Sequence, residues 1–146
     1  MPLVANWPSV IRPGQTTSQL VDASDFLPTF ADLEGLQLPK NEPMEGISFP
    51  PRLLEKTGRE REWCFFWYDP RPGWDKDRFS CSIFALDHQY KLFSDERFFE
   101  IDNLHPLEKE LNLRTLTPEA TTARTKLQAV IKNTMKPPLS PNAKRL

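Results

Sequence analysis

The side chains best suited to binding lie in one loop, Tyr68 to Arg78, which holds Tyr68, Arg71, Trp74 and Lys76. Arg71 can grip an oxyanion such as a carboxylate or a sulfate through two parallel hydrogen bonds. Trp74 offers a flat face to a sugar or an aryl ring. The same side chains also suit an ordinary solvated loop. Cys64 and Cys81 are the only cysteines, and their spacing matches no metal motif. Two buried thiols are the plainer expectation, and a disulfide between neighbouring strands is the alternative. His88 and His105 both sit beside turns and are too few to build a zinc site. The chain shows no Ser/His/Asp order, no glycine-rich phosphate loop and no metal spacing. It therefore nominates no catalytic residue and no metal ligand.

The loop must be held by the aromatic-rich stretch around it. Trp63 to Tyr68 is a continuous apolar run, too short for a typical helix, and reads as a strand covered on both faces. Ser82–Leu86, Tyr90–Phe93 and Arg97–Ile101 follow as three more strands, separated by the tight connections Asp87-His88-Gln89 and Ser94-Asp95-Glu96. Such short connections make neighbours antiparallel, because a parallel crossover needs about a dozen residues or more. The result is a four-stranded antiparallel meander with an apolar face to cover. Asp102 to Lys109 reads as a polar turn. The cover is a helix from about Pro118 to Thr134, with Thr117 as N-cap, Pro118 at N1 and Glu119 at the positive end of the dipole. Ala120, Ala123, Leu127, Val130 and Ile131 make its apolar stripe.

Before the meander, Leu3 to Trp7 reads as a buried strand ended by Pro8, and Ser24 to Gly35 as a helix. Asp22 or Ser24 can cap that helix, Pro28 fits its first turn, and Phe26, Phe30 and Leu33 recur at helical spacing. Gly35 suits the left-handed position that ends a helix. Leu36 to Glu62 is a proline-rich crossing, with a short surface helix around Leu53-Leu54 and an exposed charged run that includes Arg61. The organisation expected is 1–35, 36–62, 63–134 and a disordered tail, 135–146. The fold class is α+β.

A formal net charge of -1 gives no electrostatic reason to expect a nucleic-acid or anionic-lipid partner. No run approaches the ~20 apolar residues of a membrane span. The first residues have neither the charged nor the long apolar region of a secretory signal.

Taken together, these pieces resemble the C-terminal portion of a type I sulfatase, of the alkaline-phosphatase-like fold. Pro2-Leu3-Val4-Ala5-Asn6-Trp7-Pro8-Ser9-Val10-Ile11 is similar to the family's last core strand, which runs Val-Pro-Leu-Ile-x-x-Trp-Pro-Gly-x-Ile. Leu20 to Gly35 is similar to the Asp-Leu-Leu-Pro-Thr helix that follows. Glu45-Gly46-Ile47-Ser48-Phe49-Pro50 resembles Asp-Gly-x-Ser-x-x-Pro, with Glu for Asp. Tyr90-Lys91-Leu92-Phe93, Phe98-Phe99-Glu100-Ile101 and His105-Pro106-Leu107-Glu108-Lys109 resemble the closing Tyr-Lys-Leu, Leu-Tyr-Asp-Leu and Asp-Pro-x-Glu pattern.

The resemblance implies sulfuric ester hydrolysis, with formylglycine made from the cysteine or serine of Cys/Ser-x-Pro-x-Arg beside bound calcium. Neither Cys64-Phe65-Phe66-Trp67 nor Cys81-Ser82-Ile83-Phe84 fits that motif, and the family's calcium-binding pairs have no counterpart here. Formylglycine and calcium are thus expected only in an N-terminal portion, which would be this chain's partner. Residues 1–35 then correspond to the last strand and helix of an α/β catalytic domain. The resemblance further implies that Tyr68, Arg71, Trp74 and Lys76 help shape the mouth of a pocket for a sulfated ester. It implies export for many full-length members. The expectation is a truncated or split sulfatase, inactive alone, whose unpartnered N-terminal segment is weakly protected or self-associates. The alternative is a non-catalytic interaction or substrate-binding module derived from the same subdomain.

Overall fold

The computed structural model describes residues 3–39, 45–49, 54, 58–69, 81–102 and 107–135. The chain divides into two compact units, residues 1–64 and 65–146.

In the first unit a short 3-10 turn, Ala23–Asp25, leads into α1, Phe26–Leu33. Asp22 caps the entry, accepting from the Ser24 amide, while the Asp25 carboxylate accepts from the Asp22 amide in return. That reciprocal pair satisfies two donors that a helix start otherwise leaves open. Pro28 sits within the first turn of α1, as its missing N–H requires. Gly35 follows the helix at φ +66, the left-handed conformation that glycine adopts without a Cβ clash. The helix buries Pro28, Thr29 and Ala31. Phe26, Leu27 and Phe30 remain exposed. The Phe26/Phe30 spacing therefore marked a helix correctly, but not the face this unit buries.

Leu3 to Trp7 is not a strand. It runs as exposed coil into a turn in which the Val10 and Ile11 amides donate to the Trp7 carbonyl. A strand is stabilised by its ladder, and among the described residues no neighbour offers one. The surface helix expected around Leu53-Leu54 lies almost wholly outside the described residues, as does the tail beyond Met135.

From Cys64 onward the chain forms a five-stranded meander in the order β1-β2-β3-β4-β5. Its strands are β1 Cys64–Tyr68, β2 Ser82–Leu86, β3 Tyr90–Phe93, β4 Phe98–Ile101 and β5 Glu108–Glu110. The pairs β2–β3, β3–β4 and β4–β5 are antiparallel. Asp87 makes the first tight turn by accepting from the Gln89 and Tyr90 amides at 2.9 and 2.8 Å. The fifth strand corrects the sequence reading, which had only four and took this region as a polar turn. Glu-Lys-Glu has low strand propensity, but at a sheet edge charges are an asset because they discourage further pairing.

Register divides the sheet's two faces. Ala85 lies opposite Leu92, and Leu92 opposite Phe98. All three are buried, and with them Ala120, Leu127, Val130 and Ile131 of α2, Pro118–Thr134, complete the core. Thr117 caps α2 by accepting from the Ala120 amide at 3.2 Å. Leu127 is 0% exposed. The other face carries a ladder of rings. Phe66 stacks on Phe84 at 4.9 Å, Phe84 meets Phe93 at 5.3 Å, and Phe93 meets Phe99 edge-on at 5.6 Å. Lys91 lies over Phe84 and Phe93 and donates to Glu108 at 2.8 Å.

Candidate functional site

Of the four side chains nominated for binding, Tyr68 ends β1 and is exposed. Arg71, Trp74 and Lys76 lie outside the described residues. Both cysteines are free thiols, Cys64 buried and Cys81 half-buried, which matches the expectation of thiols over a disulfide. Among the described residues no three His, Cys, Asp or Glu side chains converge as metal ligands would.

The most buried polar constellation among the described residues includes Arg61, which the sequence reading placed in an exposed charged run. Arg61 is 5% exposed and Asp25 1%. Arg61 Nε donates to Asp25 Oδ2 at 2.9 Å, and Nη2 donates to Asp25 Oδ1, forming a two-pronged ion pair. Asp25 also accepts from the Ile47 and Asp22 amides, at 2.7 and 2.8 Å. Arg61 spends its remaining donors on the carbonyls of Glu45 and Trp63, at 3.2 and 3.3 Å, and on the Ser24 hydroxyl. A buried carboxylate and guanidinium are tolerable only when paired and fully hydrogen-bonded, and this pair is.

Burial by itself would raise the Asp25 pKa. The hydrogen bonds from Arg61, Ile47 and Asp22 outweigh it and hold the carboxyl below its ordinary value. Arg61 is held above its ordinary value, since its bonds to Asp25 outweigh the burial that opposes its charge. A carboxylate whose oxygens are all committed is fixed as an anion and is not free to move a proton. The cluster positions backbone rather than reacting.

What it positions is the segment Glu45-Gly46-Ile47-Ser48-Phe49. Its amides and side chains bond α1 in succession: Ile47 to Asp25, Ser48 Oγ to Asp32 at 2.8 Å, and the Phe49 amide to Thr29 Oγ1 at 3.1 Å. Phe49 is buried and meets Phe26 edge-on at 5.8 Å. At Gly46 a Cβ would stand 2.1 Å from the Ser24 carbonyl oxygen. The spacing of Gly46 and Ser48 was visible in the sequence. The role of Arg61 was not, because nothing in a charged run says which member folds inward.

In chain order, a capped helix with its glycine-serine strap precedes a meander under one helix. The chain belongs to the family described as N-sulphoglucosamine sulphohydrolase, C-terminal, whose model it matches over residues 1–136. It is 46% identical to an ulvan-active sulfatase of Formosa agariphila over 56 residues, covering 38% of this chain and 11% of that protein. It is 41% identical to arylsulfatase A of Bos taurus over 71 residues, covering 49% of this chain and 13% of that protein. A sulfatase of Formosa agariphila is 33% identical over 134 residues, covering 84% of this chain and 24% of that protein. The chain thus spans less than a quarter of the length of these relatives.

Neither cysteine stands in the formylglycine motif Cys-x-Pro-x-Arg, and the described residues gather no set of calcium ligands. Ser48-Phe49-Pro50-Pro51-Arg52 has the letters of Ser-x-Pro-x-Arg, but the Ser48 hydroxyl donates to Asp32. No catalytic step is derived through either group.

Proposed function

We propose that this chain is the C-terminal portion of a sulfatase, a sulfuric ester hydrolase, that lacks the nucleophile and metal cage and is inactive alone. The family match over 1–136, set against a relative of which the aligned part covers 24%, carries the reading. In this reading residues 1–35 complete an α/β catalytic domain, and 63–134 form the C-terminal subdomain. The docking face for the catalytic portion is the apolar surface of α1, where Leu27 and Phe30 are each 60% exposed. Tyr68, with Arg71, Trp74 and Lys76, then borders the pocket and orients the sulfated ester. Binding groups of this kind hold a substrate but supply neither an attacking oxygen nor stabilisation of the leaving one.

The test is hydrolysis of an aryl sulfate by the purified chain, with and without calcium, alone and mixed with the N-terminal portion of a relative. No turnover alone and calcium-dependent turnover in the mixture are expected. Turnover by the chain alone that survives Cys64→Ala and Cys81→Ala would overturn the reading.

A further inference from the structure

The two edges of the sheet are chemically opposite. β5 is Glu108-Lys109-Glu110, charged at every position and exposed throughout. β1 is Cys64-Phe65-Phe66-Trp67-Tyr68, with no charge, and Trp67 is 63% exposed. Among the described residues no strand pairs with the outer side of β1. An uncharged aromatic edge with open backbone donors and acceptors is a template for strand addition.

We propose that β1 is a self-pairing edge, and that two copies of this chain join β1 to β1, antiparallel about a two-fold axis. Charge selects this occupant. Pairing β5 with a second β5, centred on Lys109, sets Lys109 against Lys109 and Glu108 against Glu110, so every opposed pair repels. Pairing β1 with a neighbour's β5 presses two carboxylates and an ammonium onto aromatic rings and strips their water without supplying counter-charges. Pairing β1 with β1 opposes only uncharged, mostly aromatic side chains, a favourable kind of cross-strand contact. It is also isologous, so it closes at two copies and does not propagate into a filament. Because Phe66 already stacks on Phe84, the ring ladder on the open face would continue through the junction into the second sheet. The strand is short, so the dimer is concentration-dependent.

The experiment is sedimentation equilibrium on the full 146-residue chain. A mass approaching twice that of the chain is expected as concentration rises. Trp67→Lys should weaken the dimer by at least about tenfold, as removal of a central aromatic anchor does, while Glu110→Lys on the opposite edge should leave it unchanged. A monomer at every concentration overturns the proposal. So does a dimer that survives Trp67→Lys and is lost in Phe30→Glu, which would place the contact on α1. Hydrogen exchange needs no variant: protection of the outward amides of Phe65 to Tyr68 should rise with protein concentration, and a concentration-independent rate would also overturn it. These readouts are mass and amide protection rather than turnover, so they succeed or fail separately from the sulfatase reading.

Discussion

Arg61 closes on Asp25 across 36 residues of sequence, and the pair stitches the start of α1 to the backbone at Glu45, Ile47 and Trp63. Among its described residues the first unit buries few large side chains, and Phe26, Leu27 and Phe30 are exposed. Its order therefore leans on this polar hub more than on a wide apolar core. A satisfied buried network of this kind specifies one arrangement, and it is costly when half of it is removed.

Arg61→Met leaves the Asp25 carboxylate buried beside two amide donors and no cation. The expected loss is roughly 3–5 kcal/mol in denaturant unfolding. Arg61→Lys keeps the charge but cannot reproduce the two-pronged grip, so it should fall between Met and wild type. A loss under ~1 kcal/mol for Arg61→Met would mean the hub opens without consequence.

The same carboxylate sets an acid limit. Because the folded pKa of Asp25 lies below its ordinary value of 3.8, the folded state resists protonation more than the unfolded state does. The resulting stability is fully present above that ordinary value, and is lost as pH falls below it toward the folded pKa. Asp95 titrates in the same direction, held down by Arg97 although burial opposes it, but it is exposed and contributes little. Stability measured by denaturant should fall below about pH 4, and Asp25→Asn should flatten that fall. An unchanged acid profile in the Asn variant would remove Asp25 from the explanation.

Gly46→Ala tests the strap. The added methyl would meet backbone, Ser24 O at 2.1 Å, and also Pro28 Cγ at 2.9 Å. Neither can swing aside like the end of a long side chain, so the segment must lift off α1 and stretch the Ile47–Asp25 bond. The expected cost is about 1–3 kcal/mol, the usual range for overpacking, or somewhat more. Chemical shifts of the Ile47 and Phe49 amides should move with it. Unchanged stability would show that the strap can shift without cost.

Sequence logic reached the sheet more readily than the first unit, for a physical reason. Apolar alternation and short turns are local signals, so β2, β3 and β4 could be read from Ser82 to Ile101 almost residue by residue. The helix over the sheet announced itself through Thr117-Pro118 and its Leu127 stripe. Three features depended on distant partners and were not legible. Leu3 to Trp7 has strand composition, but composition cannot supply the neighbouring strand. Glu108-Lys109-Glu110 lacks strand composition, yet pairs with β4 because β4 has an open edge. Arg61 looked like its solvated neighbours until Asp25 was brought beside it. Of the loop nominated for binding, only Tyr68 is described, so Arg71, Trp74 and Lys76 rest on their chemistry alone.

Leu127 is the most deeply buried side chain of α2. It is fully buried, over the row formed by Ala85, Leu92 and Phe98. Leu127→Ala should cost roughly 2–5 kcal/mol, the sum of lost transfer energy and the cavity left behind. Ala123→Leu, by contrast, alters a half-buried position and should cost far less. A loss below ~0.5 kcal/mol for Leu127→Ala in two-state unfolding would mean that α2 is not docked there.

Cys64 gives the last prediction, on reactivity. Burial pushes its thiol up to about 11, and the nearby Arg61 cation offsets only part of that rise. At pH 8 the thiolate is then on the order of one part in a thousand, and the thiolate is the attacking species. Cys81 is half-buried and makes no disulfide, so it should be the first thiol to react. With a disulfide reagent at pH 8, one thiol should titrate promptly in the folded chain and the second only on unfolding, and Cys81→Ala should abolish the prompt phase. The raised pKa also has a stability consequence. Its contribution is complete below the ordinary value of 9.0, and is lost as pH rises from there through about 11. Cys64→Ala should therefore reduce the alkaline fall in stability. Labelling of Cys64 as fast as Cys81 in the native chain would show that its pocket opens, and that Arg61 does not hold the backbone ahead of β1 closed.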